Sequence, residues 1–187
     1  INLLMRFYDA DSGSILVDGV DIRDMTRSGL RDRFGMVLQD AWLFEGSIRD
    51  NLSYAQDGMP EEKMLAAARS ASVDSFIRTL PGGYDFMLTT GADNISQGQR
   101  QLLTIARAMA SNPEIMILDE ATSNVDTHTE QLIQNALAKL MQGRTSFVIA
   151  HRLSTIRDAD VILYMEQGDI LEHATHQEHM ACHGPYE

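Results

Sequence analysis

Between Asn94 and Asp126 the chain reads NISQGQRQLLTIARAMASNPEIMILDEATSNVD, and no other stretch restricts the possible folds as tightly. Ser96 stands where a helix would begin, and Gln99 follows three residues on. That spacing predicts a capping box, with the Ser96 hydroxyl and the Gln99 side chain each holding the other's amide. Gly98 falls in the first turn, where it costs roughly 1 kcal/mol against Ala. Something else should therefore want a glycine there, and close backbone approach of a ligand is one reason. A helix N-terminus offers free N–H groups and the positive end of a dipole, so it suits an anion such as a phosphate. Leu102, Leu103, Ala106, Met109 and Ala110 then recur at helical spacing and predict a buried face.

After the breaker Asn112-Pro113, Ile115–Leu118 is a short apolar run. It is expected as a central parallel strand buried on both faces. The run ends in Asp119-Glu120, and the carboxyl end of a buried strand is where open α/β sheets place their ligands. Asp119 suits a magnesium ion carrying phosphates. Glu120 points another way and could polarise a water for attack. Each feature alone is common; a capped helix, a buried strand and a carboxylate pair in immediate succession are not.

Composition narrows the classes further. A chain of 187 residues with 44% hydrophobic and 22% charged residues is one ordinary globular domain. The net charge of −12 and the lack of a dense basic run disfavour wrapping nucleic acid. The lone Cys182 excludes an intrachain disulfide and fits a reducing compartment. No apolar run reaches the ~18 residues of a membrane span.

Ser96–Gln101, Ile115–Glu120 and Ser123-Asn124-Val125-Asp126 together resemble the signature motif, Walker B strand with catalytic glutamate, and D-loop of the nucleotide-binding domain of ABC transporters. The signature departs from the commonest Leu-Ser-Gly-Gly-Gln form, reading Ile95-Ser96-Gln97-Gly98-Gln99. The resemblance extends over the whole chain. It implies an α/β fold: a P-loop NTPase-like (RecA-like) core, 1–46 and 111–187, with an inserted α-helical subdomain over 47–110. It also implies an N-terminal truncation, because no G-x-x-x-x-G-K-[ST] P-loop occurs in the sequence.

In chain order, Ile1–Tyr8 has helical apolar spacing, and Ser14–Ile22 reads as two strands about the Asp18-Gly19 turn. Phe34–Leu38 is a further strand, followed by Gln39, which matches the Q-loop glutamine that contacts magnesium and the attacking water in the family. Trp42–Leu52 resembles the exporter pattern LF-x-G-[ST]-I-x-x-N. The resemblance there implies a surface groove receiving a helix of a membrane domain. Pro60 predicts a helix start with an apolar face of Met64, Leu65, Ala68 and Ala71, and Asp74–Leu80 a second helix. Tyr84–Asn94 is expected as a loop and Thr127–Met141 as a helix. Thr145–Ala150 is expected as a buried strand ending at His151, which matches the family's H-loop histidine. Ser154–Arg157 reads as helical, Val161–Met165 as a strand and Gly168–Glu172 as a hairpin return. His173, His176, His179 and His183 are expected to be solvent-facing rather than a metal cluster.

The resemblance implies ATP and Mg²⁺ as ligands. Asp119 and Gln39 would hold the metal, Glu120 would activate water, and His151 would contact the γ-phosphate. Ser96, Gly98 and Gln99 would bind the γ-phosphate of the ATP on a second, head-to-tail nucleotide-binding domain, with Asp126 at that interface. The implied setting is the cytoplasmic face of a membrane, beside a transmembrane domain, with no nucleic acid. Two alternatives stay open: an ABC ATPase of a nucleic-acid or ribosome-associated system, and a degenerate, non-hydrolytic module.

Overall fold

A computed structural model describes residues 1–54, 56, 58–119, 125–150 and 153–182. Chain contacts divide it into two units, Ile1–Leu118 with Thr122–Phe147, and Asp119–Ala121 with Val148–Glu187.

The first unit opens not with a regular helix but with successive turns over Asn2–Tyr8. Arg6 adopts φ 49°, which breaks any helical run. Its guanidinium instead donates to the carbonyls of Ile22, Arg23 and Met25 at 3.0–3.1 Å. Strands β1 (Leu16–Val17) and β2 (Val20–Asp21) form the expected hairpin. Asp18 and Gly19 both have positive φ at its tip, as a two-residue turn of this hand requires. The short helix α1 (Arg27–Arg31) is capped by Thr26 and leads to β3 (Phe34–Val37). Met5, Val17, Ile22, Leu30, Phe34 and Ile117 close into one apolar cluster beneath these elements.

Strand β4 (Gly46–Ser47) runs into α2 (Ile48–Leu52), with Ser47 and Asp50 making a capping box. Helix α3 (Glu61–Ser70) follows. Pro60 is its N-cap rather than its first helical residue, since the Pro60 carbonyl already accepts from Met64 at 3.2 Å. Its buried face is Met64, Ala67, Ala68 and then Ala71, with Ala67 taking the place expected of the half-buried Leu65. Helix α4 (Asp74–Thr79) ends before Pro81. The stretch expected as a plain loop contains β5 (Met87–Leu88), which pairs antiparallel with β4. A two-residue strand has no periodicity to read; only its partner 40 residues earlier defines it.

Helix α5 (Gln97–Ser111) is buried far beyond one face. Leu102, Leu103, Ala106 and Ala110 are inside as expected, and so are Gln101, Thr104, Ile105 and Ala108, whereas Met109 is only half-buried. It packs on α2, α3, β3 and the later helix α6 (Thr127–Met141). Its end is fixed by Asn112 in the left-handed region. The Arg33 carbonyl accepts from the amides of Glu114 and Ile115, aligning β6 (Ile115–Asp119) parallel to β3 with Val37 opposite Leu118. Met116, Ile117 and Leu118 are buried on both sheet faces, as the apolar run requires. Helix α6 buries Ile133, Ala136, Leu137 and Leu140. Strand β7 (Thr145–Ile149) was expected to be buried, but Thr145, Phe147 and Ile149 are exposed. The sheet order is β3-β6-β7, so β7 is an outer strand, open on one face.

The second unit carries α7 (Leu153–Arg157), the hairpin of β8 (Ile162–Glu166) and β9 (Asp169–Ala174), and α8 (His176–Cys182). A bulge between Tyr164 and Met165 interrupts the hairpin register.

Gly98 has a packing explanation. A Cβ on it would collide with Thr129 Cγ2 and sit 3.1 Å from Val125 Cγ1. The starts of α5 and α6 meet here, and only a hydrogen at Gly98 fits. Gly98→Ala is expected to destabilise the folded protein by ~1–3 kcal/mol through overpacking. Adding Thr129→Ser, which removes Cγ2, should recover most of that loss in denaturant unfolding; a failure to recover would mean that the glycine is needed for its open face alone. A pH effect is also expected. Asp74 is held below the usual carboxylate range by Arg78, and next by the Tyr84 hydroxyl at 2.6 Å. Its stabilising contribution is complete above its ordinary value of 3.8 and is lost as pH falls through the lower folded value. Asp74→Asn should flatten the acid limb of a stability–pH curve measured by urea unfolding.

Candidate functional site

The N-terminus of α5 is assembled from short-range rules. Ser96 Oγ accepts from the Gln99 amide at 3.3 Å, and Gln99 Oε1 accepts from the Ser96 amide at 2.9 Å. The capping box thus engages the amides of Ser96 and Gln99. The remaining first-turn donors are those of Gln97 and Gly98. The preceding turn is pinned: Asn94 Oδ1 accepts from the Thr89 amide and hydroxyl at 3.2 Å, and Arg100 donates to the Gly91 carbonyl at 2.9 Å. Ser96 is exposed and Gln99 half-buried, so this end faces outward while Gly98 faces α6.

Asp126 lies beside it. Its carboxylate caps α6, accepting from the Thr129 amide at 3.0 Å. That amide, then the Thr129 hydroxyl, holds the Asp126 carboxyl below its usual range. The contact of Gly98 with Val125 and Thr129 therefore brings Ser96, Gly98, Gln99 and Asp126 to one place: two adjacent helix starts, both capped, both carrying the positive end of a helix dipole.

At the sheet, Asp119 is the last residue of β6 and half-buried. It directly follows Leu118, whose partner is Val37. Gln39 stands two residues beyond Val37 and is exposed. Asp119 belongs to the second unit, Gln39 to the first. Glu120 and His151 lie outside the described residues, as do Ser123, Asn124 and His183. The side chains of Asp119 and of Gln39 each carry a hard oxygen donor.

The sequence reading missed one constellation. Arg107, in the middle of α5, has a largely buried guanidinium whose pKa is lowered by desolvation. It donates to the Asn51 carbonyl at 2.9 Å, to Asn51 Oδ1 at 2.9 Å and to the Trp42 carbonyl at 3.2 Å. Its cation lies 5.3 Å from the Tyr54 ring centroid and 5.9 Å from that of Trp42. Asn51 is 0% exposed and fully used: its amide donates to the Phe44 and Ser47 carbonyls, and its oxygen also accepts from the Phe44 amide. Trp42, Phe44 and Tyr54 form an aromatic trio with centroids 5.5–6.3 Å apart. Trp42 is 59% exposed and Tyr54 50%. The pattern from Leu43 to Asn51 thus has a physical meaning. Leu43 and Ile48 are core, Gly46 avoids the Phe44 ring, Ser47 caps α2 and Asn51 ties the segment together. The signal in the sequence was a cation set among Ile105, Ala106 and Ala108 in the mostly buried part of the helix.

A family model described as ABC transporter matches residues 1–123. The chain is 53% identical, over its whole length, to a fatty acid ABC transporter ATP-binding/permease protein of Mycobacterium bovis, of which it covers 30%. It is 46% identical to an ATP-dependent lipid A-core flippase of Syntrophus aciditrophicus, covering 31% of that protein. The structure of a bacterial Atm1-family ABC exporter with ATP bound superposes with a TM-score of 0.89 at 42% identity, over 99% of this chain and 32% of that one. The chain therefore spans about a third of the length of these relatives. It belongs to the ABC transporter family and has the fold of that family's ATPase domain, of the P-loop NTPase class.

Proposed function

We propose that this chain is the larger part of the ATP-binding and hydrolysing domain of an exporter, in which ATP turnover powers movement of a substrate across a membrane. The observation that carries the reading is the outward-facing, capped start of α5 with Asp126 beside it. In this reading Ser96, Gly98 and Gln99 bind the γ-phosphate of an ATP held by a second, head-to-tail domain, whose interface includes Asp126. The relatives' names, an ATP-binding/permease protein and a flippase, favour transport over a nucleic-acid-associated or non-hydrolytic role.

Within the ATP site, Asp119 and Gln39 would hold a magnesium ion, which offsets phosphate charge when bound. Glu120 orients a water and takes its proton as the water attacks, while His151 donates a hydrogen bond to the γ-phosphate. Residues 47–110 form a helical subdomain set into an α/β core of 1–46 and 111–187. The face of exposed Trp42 and Tyr54 and half-buried Phe44 receives a transmembrane domain at the cytoplasmic side of the membrane. No described helix is long and apolar enough to cross a membrane, so the spans would lie elsewhere in the protein.

In the complete transporter, Glu120→Gln is expected to lower ATP turnover about 10²–10⁴-fold, the usual worth of a positioned base, with ATP binding retained. Turnover at the wild-type rate would remove Glu120 from this role. The 187 residues contain no P-loop pattern, so this chain alone is expected to be inactive. Calorimetric titration of Mg-ATP should give no binding isotherm with it, but a clear one with the complete transporter. Binding by neither would argue for a degenerate module.

A further inference from the structure

We propose that Arg107 is a positioning residue that clamps the Trp42–Phe44–Tyr54 face onto α5, the helix whose N-terminus carries Ser96, Gly98 and Gln99. The proposal rests on the reading of that face as the surface met by a membrane domain.

Three observations carry it. First, every described partner of the Arg107 guanidinium is a neutral oxygen or an aromatic face belonging to the 42–54 segment. A buried charge held only by neutral groups carries a desolvation penalty that a Leu or Met filling the same space would avoid. What the guanidinium adds is geometry: one planar fork reaches three oxygens while two ring centroids lie 5.3 and 5.9 Å from its centre. Second, the grip falls on Asn51, which itself ties Phe44 and Ser47. Holding Asn51 therefore holds the whole turn that presents the aromatic trio. Third, α5 is a continuous helix from Gln97 to Ser111, buried along most of its surface. Arg107 lies 8–11 residues beyond Gln99 and Ser96, roughly 12–16 Å along the axis. A displacement of the aromatic face is thus passed to a rigid rod whose far end is the capped, phosphate-facing start.

The test uses the complete transporter with ATP as the probe, in three variants: Arg107→Lys, Trp42→Ala and the double. Lys keeps the charge but loses the fork. Each single variant should lower kcat for ATP about tenfold and leave KM for ATP within about twofold, because the hydrolytic groups are untouched. The double variant should be no slower than the slower single one, since both break one clamp. A raised KM at unchanged kcat, a wild-type kcat in either single variant, or losses that multiply in the double variant would overturn the proposal. Trp42 is exposed, so its replacement should not unfold the domain. If Arg107→Lys fails to accumulate, Trp42→Ala alone decides, and an unchanged kcat there sinks the clamp. A wild-type protein that hydrolyses no ATP would instead overturn the functional reading, and this one with it.

Discussion

The burial of α5 on nearly all sides is the constraint on which the rest of the first unit depends. A helix enclosed by α2, α3, α6 and β3 cannot shift or rotate without opening several interfaces at once. Apolar side chains fill most of that enclosure, and two of its polar groups are hydrogen-bonded within it. Thr104 donates back to the Arg100 carbonyl, and Arg107 spends its donors on the 42–51 segment. Pairs of this kind are net stabilising only when every buried donor finds an acceptor. The helix is therefore both the core of the unit and the part that orients its two outward features, the capped start and the aromatic face.

The two helix starts at Gly98 and Asp126 illustrate how steric and electrostatic demands converge. Contact without a Cβ brings the N-termini of α5 and α6 together. Two positive dipole ends side by side repel weakly unless an anion is near. The Asp126 carboxylate supplies one negative charge at the second start. The first start has only the neutral Ser96–Gln99 box, and so stays the more receptive of the two to an external anion.

Much of this was legible in the chain. The α5 box, the limits of α6, the Asp18-Gly19 hairpin and the doubly buried β6 follow from spacing rules acting over a few residues. The reading failed where distant contacts override local pattern. Ile1–Tyr8 has helical periodicity, yet Arg6 leaves the helical region to clamp carbonyls 16–19 residues away. Strand β5 exists only through β4. Strand β7 has the composition of a buried strand and sits at the sheet's edge.

By itself the sequence determined the capped starts of α5 and α6, the Asp18-Gly19 turn and the apolar run of β6, and which residue types could bind phosphate and magnesium, because caps, turns and apolar periodicity act within one or two turns of chain. Only the tertiary structure decided why Gly98 must lack a side chain, why Asn51 is buried and what Arg107 holds. Each of those answers is a contact between segments far apart in sequence, Gly98 with Thr129, Asn51 with Arg107 and Arg107 with Trp42, and a spacing rule contains no term for it.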